Sequence, residues 1–168
     1  MLFMPIFRPE KINDMQTYSI EIVRTTSDNQ VFRNLVNALD EDLNIRNGDI
    51  QRQYDQYNKI DNIKHAIVVY AEGKPVGCGC FKKFNESAVE IKRMFVFPEM
   101  RGRQLAARML QELEKWAAEE GFTATVLETG RRQVEAHRLY ERAGYLRTEN
   151  YGQYVGMEDS ICYRKELK

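Results

Sequence analysis

The stretch FPEMRGRQLAARMLQELEKW, residues 97–116, joins the end of an apolar strand to a long amphipathic helix. Pro98 stops strand pairing, because proline has no amide hydrogen to donate. From Arg101 onward Leu105, Met109, Leu113 and Trp116 recur at helical spacing, with Leu110 and Ala117 beside them. Between strand and helix lie Arg101, Gly102 and Arg103. Helix N-termini bind phosphate, since their first N–H groups lack intrahelical partners and the dipole adds partial positive charge. Gly102 lets the backbone approach a ligand closely, Ala106 adds little bulk, and the two arginines attract a polyanion. Read alone, the segment is also consistent with an ordinary strand-to-helix turn carrying solvated arginines.

Upstream, Ser87 to Phe97 reads as a strand with Glu90, Lys92, Met94 and Val96 on one face and Ile91, Arg93, Phe95 and Phe97 on the other. HAIVVYAEGKPVGCGCFKKF, residues 65–84, reads as two strands joined by a tight turn at Glu72-Gly73-Lys74-Pro75. YSIEIVRTT, residues 18–26, alternates apolar and polar residues as a strand does. Ser27 and Asp28 then offer N-caps to a helix with Val31, Phe32, Leu35, Val36 and Leu39 on one side. The polar stretch that follows, with Tyr54 and Tyr57, suits a second, shorter helix. Downstream, Gly121 ends the long helix, and TATVLET, residues 123–129, forms a strand. Gly130 to Gln133 make a loop, Glu135 to Ala143 a short helix, and Tyr145 onward and SICYRKEL, residues 160–167, the closing strands. The order is β, α, α, three strands, then α, β, α, β, β: a mixed α+β pattern with a strand–helix–strand core.

The chain's 168 residues suit one domain, 1–168, with 1–16 as a lead-in. Basic and acidic residues balance at 25 each, which argues against nucleic acid as a partner. No apolar run approaches the ~20 residues of a membrane span. LFMPIF near the start holds a proline and precedes its basic residues rather than following them, so it does not read as a signal peptide. Three cysteines with no CxxC pair point to reduced thiols and a cytoplasmic setting. Cys78 and Cys80 alternate along one strand and read as small core residues. A zinc site needs about four nitrogen or sulfur ligands, and His65 and His137 stand in unrelated contexts, so no metal is expected.

The ordered set VFPEMRGRQLA, WAAEEGF, LETG and QVEAHRLYERAGY resembles the GNAT superfamily of N-acetyltransferases over residues 65–168. The resemblance implies an α+β fold with a central, mostly antiparallel sheet of about six to seven strands. A β-α-β core in it binds acetyl-CoA, and helices cover both faces. The family's acetyl-CoA loop corresponds to Arg101-Gly102-Arg103-Gln104-Leu105-Ala106, with Gln104 at the central glycine position. A family asparagine, seven residues before a tyrosine, corresponds to Gln133, which keeps an amide donor and acceptor. By the same resemblance the backbone of Met94, Phe95 and Val96 pairs with the pantetheine arm, and N–H groups from Gly102 to Ala107 hold the pyrophosphate. Arg131 and Arg132 stand where they could reach the 3′-phosphate, or be merely solvated.

Acetyl transfer to an amine needs a neutral amine, a polarised thioester carbonyl and a proton for the departing thiolate. The resemblance makes Tyr140 the proton donor, against its alternative as a core tyrosine with an edge hydroxyl. By the same resemblance Glu90, eleven residues before Arg101, is the leading candidate for the base, against its alternative as a solvated or salt-bridged strand residue beside Lys92; Glu128 in LETG is the second candidate, and the sequence does not separate them. Asp40 to Arg46, Tyr54, Tyr57 and Tyr151 to Tyr154 are candidates to line the acceptor site. Aromatic residues with mixed charge suit a small-molecule or amino-acid-like amine. A peptide N-terminus or lysine is the alternative within that class, and a homodimer is compatible. The rival reading is a non-catalytic module that binds acyl-CoA or a partner protein.

Overall fold

The computed structural model describes residues 17–56 and 59–168, so the expectations for 1–16 and for Tyr57 fall outside the described residues. Seven strands among these form one sheet: β1 (Ile20–Thr25), β2 (His65–Ala71), β3 (Lys74–Lys83), β4 (Ala88–Val96), β5 (Ala124–Gly130), β6 (Leu146–Thr148) and β7 (Ser160–Glu166). Their spatial order is β1-β2-β3-β4-β5-β7-β6, and β4 with β5 is the parallel pair in an otherwise antiparallel sheet. The helices are α1 (Gln30–Asn47), α2 (Gln51–Asp55), α3 (Leu105–Glu119) and α4 (Val134–Arg142).

Helices cover both faces, as expected. Phe32, Leu35, Val36 and Leu39 of α1 pack on Ala66, Val68, Cys78, Cys80, Phe95 and Phe97. On the opposite face Leu105, Met109, Leu110 and Leu113 of α3 meet Ile67, Val69, Val89, Ile91 and Val96, with Tyr140 of α4 joining them. The small residues of VGCGC let α3 come close: a Cβ on Gly79 would lie 2.7 Å from the Met94 sulfur and 3.2 Å from Leu113 Cδ1. The hairpin turn of β2 and β3 has positive φ at both Glu72 (50°) and Gly73 (74°), the arrangement whose twist matches the flanking strands.

Two helix starts differ from the sequence reading. Asn29 caps α1, its side chain accepting from Phe32 N at 3.0 Å. Ser27 is buried instead and accepts from Ile63 N at 3.0 Å, tying the helix entry to the segment before β2. The helix α3 begins at Leu105 rather than Arg101, because residues 98–100 form a short 3-10 turn and Gln104 takes a left-handed conformation at φ 61°.

The face assignment in β4 is also corrected. Cys78 pairs with Phe95 and Cys80 with Lys92, so Arg93 and Met94 together oppose Gly79. This is a β-bulge, and Arg93 at φ 58° provides its left-handed residue. The extra residue breaks the strict alternation. Arg93 consequently shares the α1 side with Lys92, donating to Val36 O at 3.4 Å and pairing with Asp40, while Met94 turns toward α3. The thiols of Cys80 and Cys78 donate to the carbonyls of Lys92 and Arg93 at the bulge, at 3.3 and 3.6 Å. Burial pushes the Cys80 thiol up to about 12 and the Cys78 thiol higher still, so both remain protonated donors.

Candidate active site

Strands β4 and β5 pair only at Ala88–Ala124, Val89–Thr125 and Glu90–Val126. Beyond Glu90 they diverge, β4 running on to Val96 and β5 to Gly130. Divergence of parallel neighbours opens a crevice at their carboxyl ends, the usual place for a ligand in such sheets. Here the crevice is a cleft of about 780 Å³ between β4, α3 and α4. Met94, Phe95 and Val96 line it along the edge left unpaired by β5. Arg101, Gly102, Gln104, Leu105, Ala106 and Ala107 line one end, and Gln133 and Tyr140 the α4 side. With Gly102 at φ 78° and Gln104 at φ 61°, left-handed residues alternate in the turn before α3, a conformation that gathers N–H groups into an anion-binding concavity.

Of the expected cleft residues Arg103 stands apart: its guanidinium lies 5.1 Å over the Tyr18 ring, and its side chain is not part of the cleft wall. Arg131 is likewise committed elsewhere. Its Nε and Nη2 donate to the Glu158 carbonyl at 3.0 and 2.7 Å, pinning the turn before β7. Arg132 is exposed, and neither residue lines the cleft. The cations that do line it are Arg46, Arg101, Arg138, Arg142 and Lys165. The last three escaped the sequence reading; Arg138 and Arg142 stand four apart on α4, flanking Tyr140, and that spacing was the available signal. Arg101 donates to Val96 O at 2.9 Å and pairs with Asp42 at 3.2 Å. Arg46 pairs with Asp42 at 3.3 Å and with Glu135 at 3.4 Å, so a chain of charges links α1, the turn and α4 across the mouth.

A second, smaller cavity of about 100 Å³ adjoins the cleft on the α1 side and shares Met94, Gln133 and Tyr140 with it. It brings together the three residues singled out for the chemistry: Glu90, Glu128 and Tyr140. Asn47 and Gln51 close one wall, Tyr54 and Tyr154 another. Glu90 is 2 % exposed. Its Oε2 accepts from the Tyr151 hydroxyl at 2.9 Å, and its Oε1 lies 3.1 Å from the Lys92 ammonium. Lys92 also donates to the Tyr154 hydroxyl at 3.3 Å.

Glu128 differs. Burial lifts its carboxyl from 4.5 to about 7, and the nearby Glu90 charge adds to the rise, while Ser160 and Lys92 pull the other way. Burial also pushes the Tyr140 hydroxyl up, reinforced by Glu128, so it holds its proton through neutral pH. The Tyr140 ring packs against Tyr145 and Tyr163, with centroids 5.8 and 6.0 Å away. Among the described residues no cluster of His, Cys, Asp or Glu is placed to hold a metal ion, and no helix is long and apolar enough to cross a membrane.

The family model of the Acetyltransferase (GNAT) family matches residues 32–145. An IAA acetyltransferase of Azospirillum brasilense is 37% identical over 102 residues, 60% of this chain and 67% of the relative. An aminoalkylphosphonate N-acetyltransferase of Salmonella typhimurium is 38% identical over 56 residues, 33% of this chain and 36% of the relative. The matches thus span from about a third to two thirds of these relatives' lengths. The PaiA N-acetyltransferase of Thermoplasma acidophilum, solved in complex with coenzyme A, shares the fold at a TM-score of 0.67. Its identity is 16%, with 88% of this chain and 99% of that one covered. Because the match at 32–145 runs from the first turn of α1 past the end of α4 and takes in both strands of the cleft, the chain belongs to the GNAT family of acetyltransferases.

Proposed function

We propose that the protein moves an acetyl group from acetyl-CoA to a primary amine of a small molecule, with both substrates bound at once. The observation that carries this reading is the pair of adjoining cavities, one with an open strand edge and a cationic rim, the other with two carboxyls, both sharing Tyr140. The residues fit acetyl-CoA on three counts. The free edge at Met94 to Val96 suits an extended chain of amides, as an added strand would. The N–H groups from Gly102 to Ala107 suit a pyrophosphate. Arg138, Arg142 and Lys165 supply cations that neither Arg131 nor Arg132 brings to the cleft wall.

When bound, acetyl-CoA supplies an acetyl group activated as a thioester. The chain's residues do the rest. Glu128, with a carboxyl that titrates near neutrality, takes a proton from the acceptor ammonium, directly or through water. Glu90, fixed by Tyr151 and Lys92, is the partner carboxylate that helps hold the acceptor. N–H groups at the bulged end of β4 favour negative charge on the carbonyl oxygen. Tyr140 Oη keeps its proton until the leaving group needs it. The names of the relatives, which include small acceptors, support this choice over a protein substrate. The test is release of CoA thiol in steady state with a panel of amines. Binding of acetyl-CoA without thiol release for any primary amine, small or peptide, would leave only the non-catalytic module.

A further inference from the structure

Resting on the acetyltransferase reading, one buried cation outside the proposed chemistry ties the donor's strand to the acceptor's wall. Arg93 is the bulged residue of β4, and its φ of 58° puts a side chain in the left-handed region that favours glycine. Such strain persists only where surrounding contacts hold it, and it collects at working sites. The contacts here are specific. The Arg93 side chain is 3 % exposed, and its guanidinium reaches α1 twice, pairing with Asp40 and donating to Val36 O at 3.4 Å. Its Nε is buried with no hydrogen-bond partner among the described residues, so the bond to Asp40 is what offsets burial of this charge. From the β3 side the Cys78 thiol donates to the Arg93 carbonyl at 3.6 Å. Backbone and side chain of the bulge are thus gripped by two different elements.

Both ends of the grip on α1 lie at the site. Arg93 follows the last β4–β5 pair, at Glu90, by three residues, and from there the open edge of β4 runs along the cleft. An extra residue bends a strand and re-aims the groups after it. On α1, Asp40 follows Leu39, and Leu39 and Leu43 line both cavities. Arg93 borders the smaller cavity and Met94 borders both. A shift between α1 and the bulge therefore changes the distance from an amine in the smaller cavity to a thioester lying along Met94 to Val96.

We infer that Arg93 is a positioning residue for acetyl transfer: through Asp40 it holds the bulge so that the β4 amides meet the thioester carbonyl while α1 walls the acceptor. Transfer between two bound reactants is sensitive to small displacements. Cofactor affinity is not, because most of the cleft wall comes from the turn before α3, from α3 itself and from α4. The ion pair governs turnover rather than acetyl-CoA binding.

The experiment uses Asp40→Asn, which removes the charge of a side chain 46 % exposed, and Arg93→Gly, which removes the guanidinium and leaves a residue suited to φ 58°. Asp61→Asn is the control: it breaks another ion pair of α1, Arg33 with Asp61, outside both cavities. Each protein is assayed by CoA release with an amine that the parent turns over. Each is also examined by infrared spectroscopy of acetyl-CoA with a 13C-labelled carbonyl, bound at saturation without acceptor. Asp40→Asn and Arg93→Gly should lower kcat at least about tenfold and keep KM for acetyl-CoA within about twofold. The carbonyl band, displaced in the parent by the β4 amides, should move back toward its position in free acetyl-CoA. The control should match the parent in both. Either readout staying at the parent's value in folded Asp40→Asn overturns the inference, and so does an equal loss in Asp61→Asn or a loss confined to KM. If Arg93→Gly does not fold, Asp40→Asn decides alone. Absence of thiol release by the parent with every amine fails the underlying reading instead.

Discussion

Replacing Glu128 by glutamine keeps the side chain's shape and removes its titration. In the native protein this carboxyl is lifted from 4.5 to about 7 by burial. A tenfold change in proton affinity corresponds to about 1.4 kcal/mol, so the native state binds this proton about 3 kcal/mol more tightly than the unfolded chain does. The sign follows from the direction. A carboxyl with a raised native value stabilises the fold fully below its unfolded value, near 4.5, and that contribution is lost as the pH rises through about 7. Urea unfolding of both proteins between about pH 4.5 and 8 measures it, because other groups titrate alike in both and cancel in the difference. The stability of the parent relative to Glu128→Gln should fall by about 3 kcal/mol across that window, and then run level. Turnover supplies the second readout. The parent's kcat/KM should carry a limb with a midpoint near pH 7 that Glu128→Gln lacks, and the variant should lose on the order of 10²-fold in rate. A stability difference that stays flat across the window would mean that Glu128 titrates as an ordinary exposed carboxylate, and the assignment of the base would fail with it.

Tyr140→Phe should bind acetyl-CoA as the parent does and turn over more slowly, with a smaller loss for acyl donors whose leaving groups need the proton less; full activity with a lowered melting temperature would make the residue structural. Gln104→Gly should hold or gain stability by up to about 1 kcal/mol, since a left-handed residue with a side chain carries a strain that glycine avoids, and it should tighten acetyl-CoA binding; a loss of more than ~1 kcal/mol in denaturant unfolding would show that the Gln104 side chain supports the turn. Acetyl-CoA at ~100 times its dissociation constant should add about 2.7 kcal/mol of native stability, read as a rise in melting temperature, and no shift at millimolar concentration would refute the cleft assignment.

Hydrophobic period alone determined most of the elements. Strands β1 to β5, the amphipathic α3 and the short α4 follow from side-chain spacing within about ten residues, which is the range over which helix and strand periods act. The turn before α3, which we propose as the pyrophosphate site, was legible as a strand-to-helix turn because Pro98, Gly102 and the start of an apolar helical stripe fall within eight residues. What only the tertiary structure decided depends on neighbours far apart in the chain. The bulge at Arg93 exists through its pairing with β3, where two residues face Gly79, and strict alternation in β4 therefore misplaced the residues after Lys92. Arg131 and Arg103 look like phosphate cations in sequence, but a carbonyl of the 158 turn and the ring of Tyr18 claim them. Glu90 and Glu128 were indistinguishable as glutamates on two strands. Folding separates them: Tyr151, 61 residues along the chain, and Lys92 of its own strand hold the carboxylate of Glu90, while desolvation leaves Glu128 near neutrality. Desolvation and ion pairing are sums over every group packed around a site, and no local pattern of residues contains that sum.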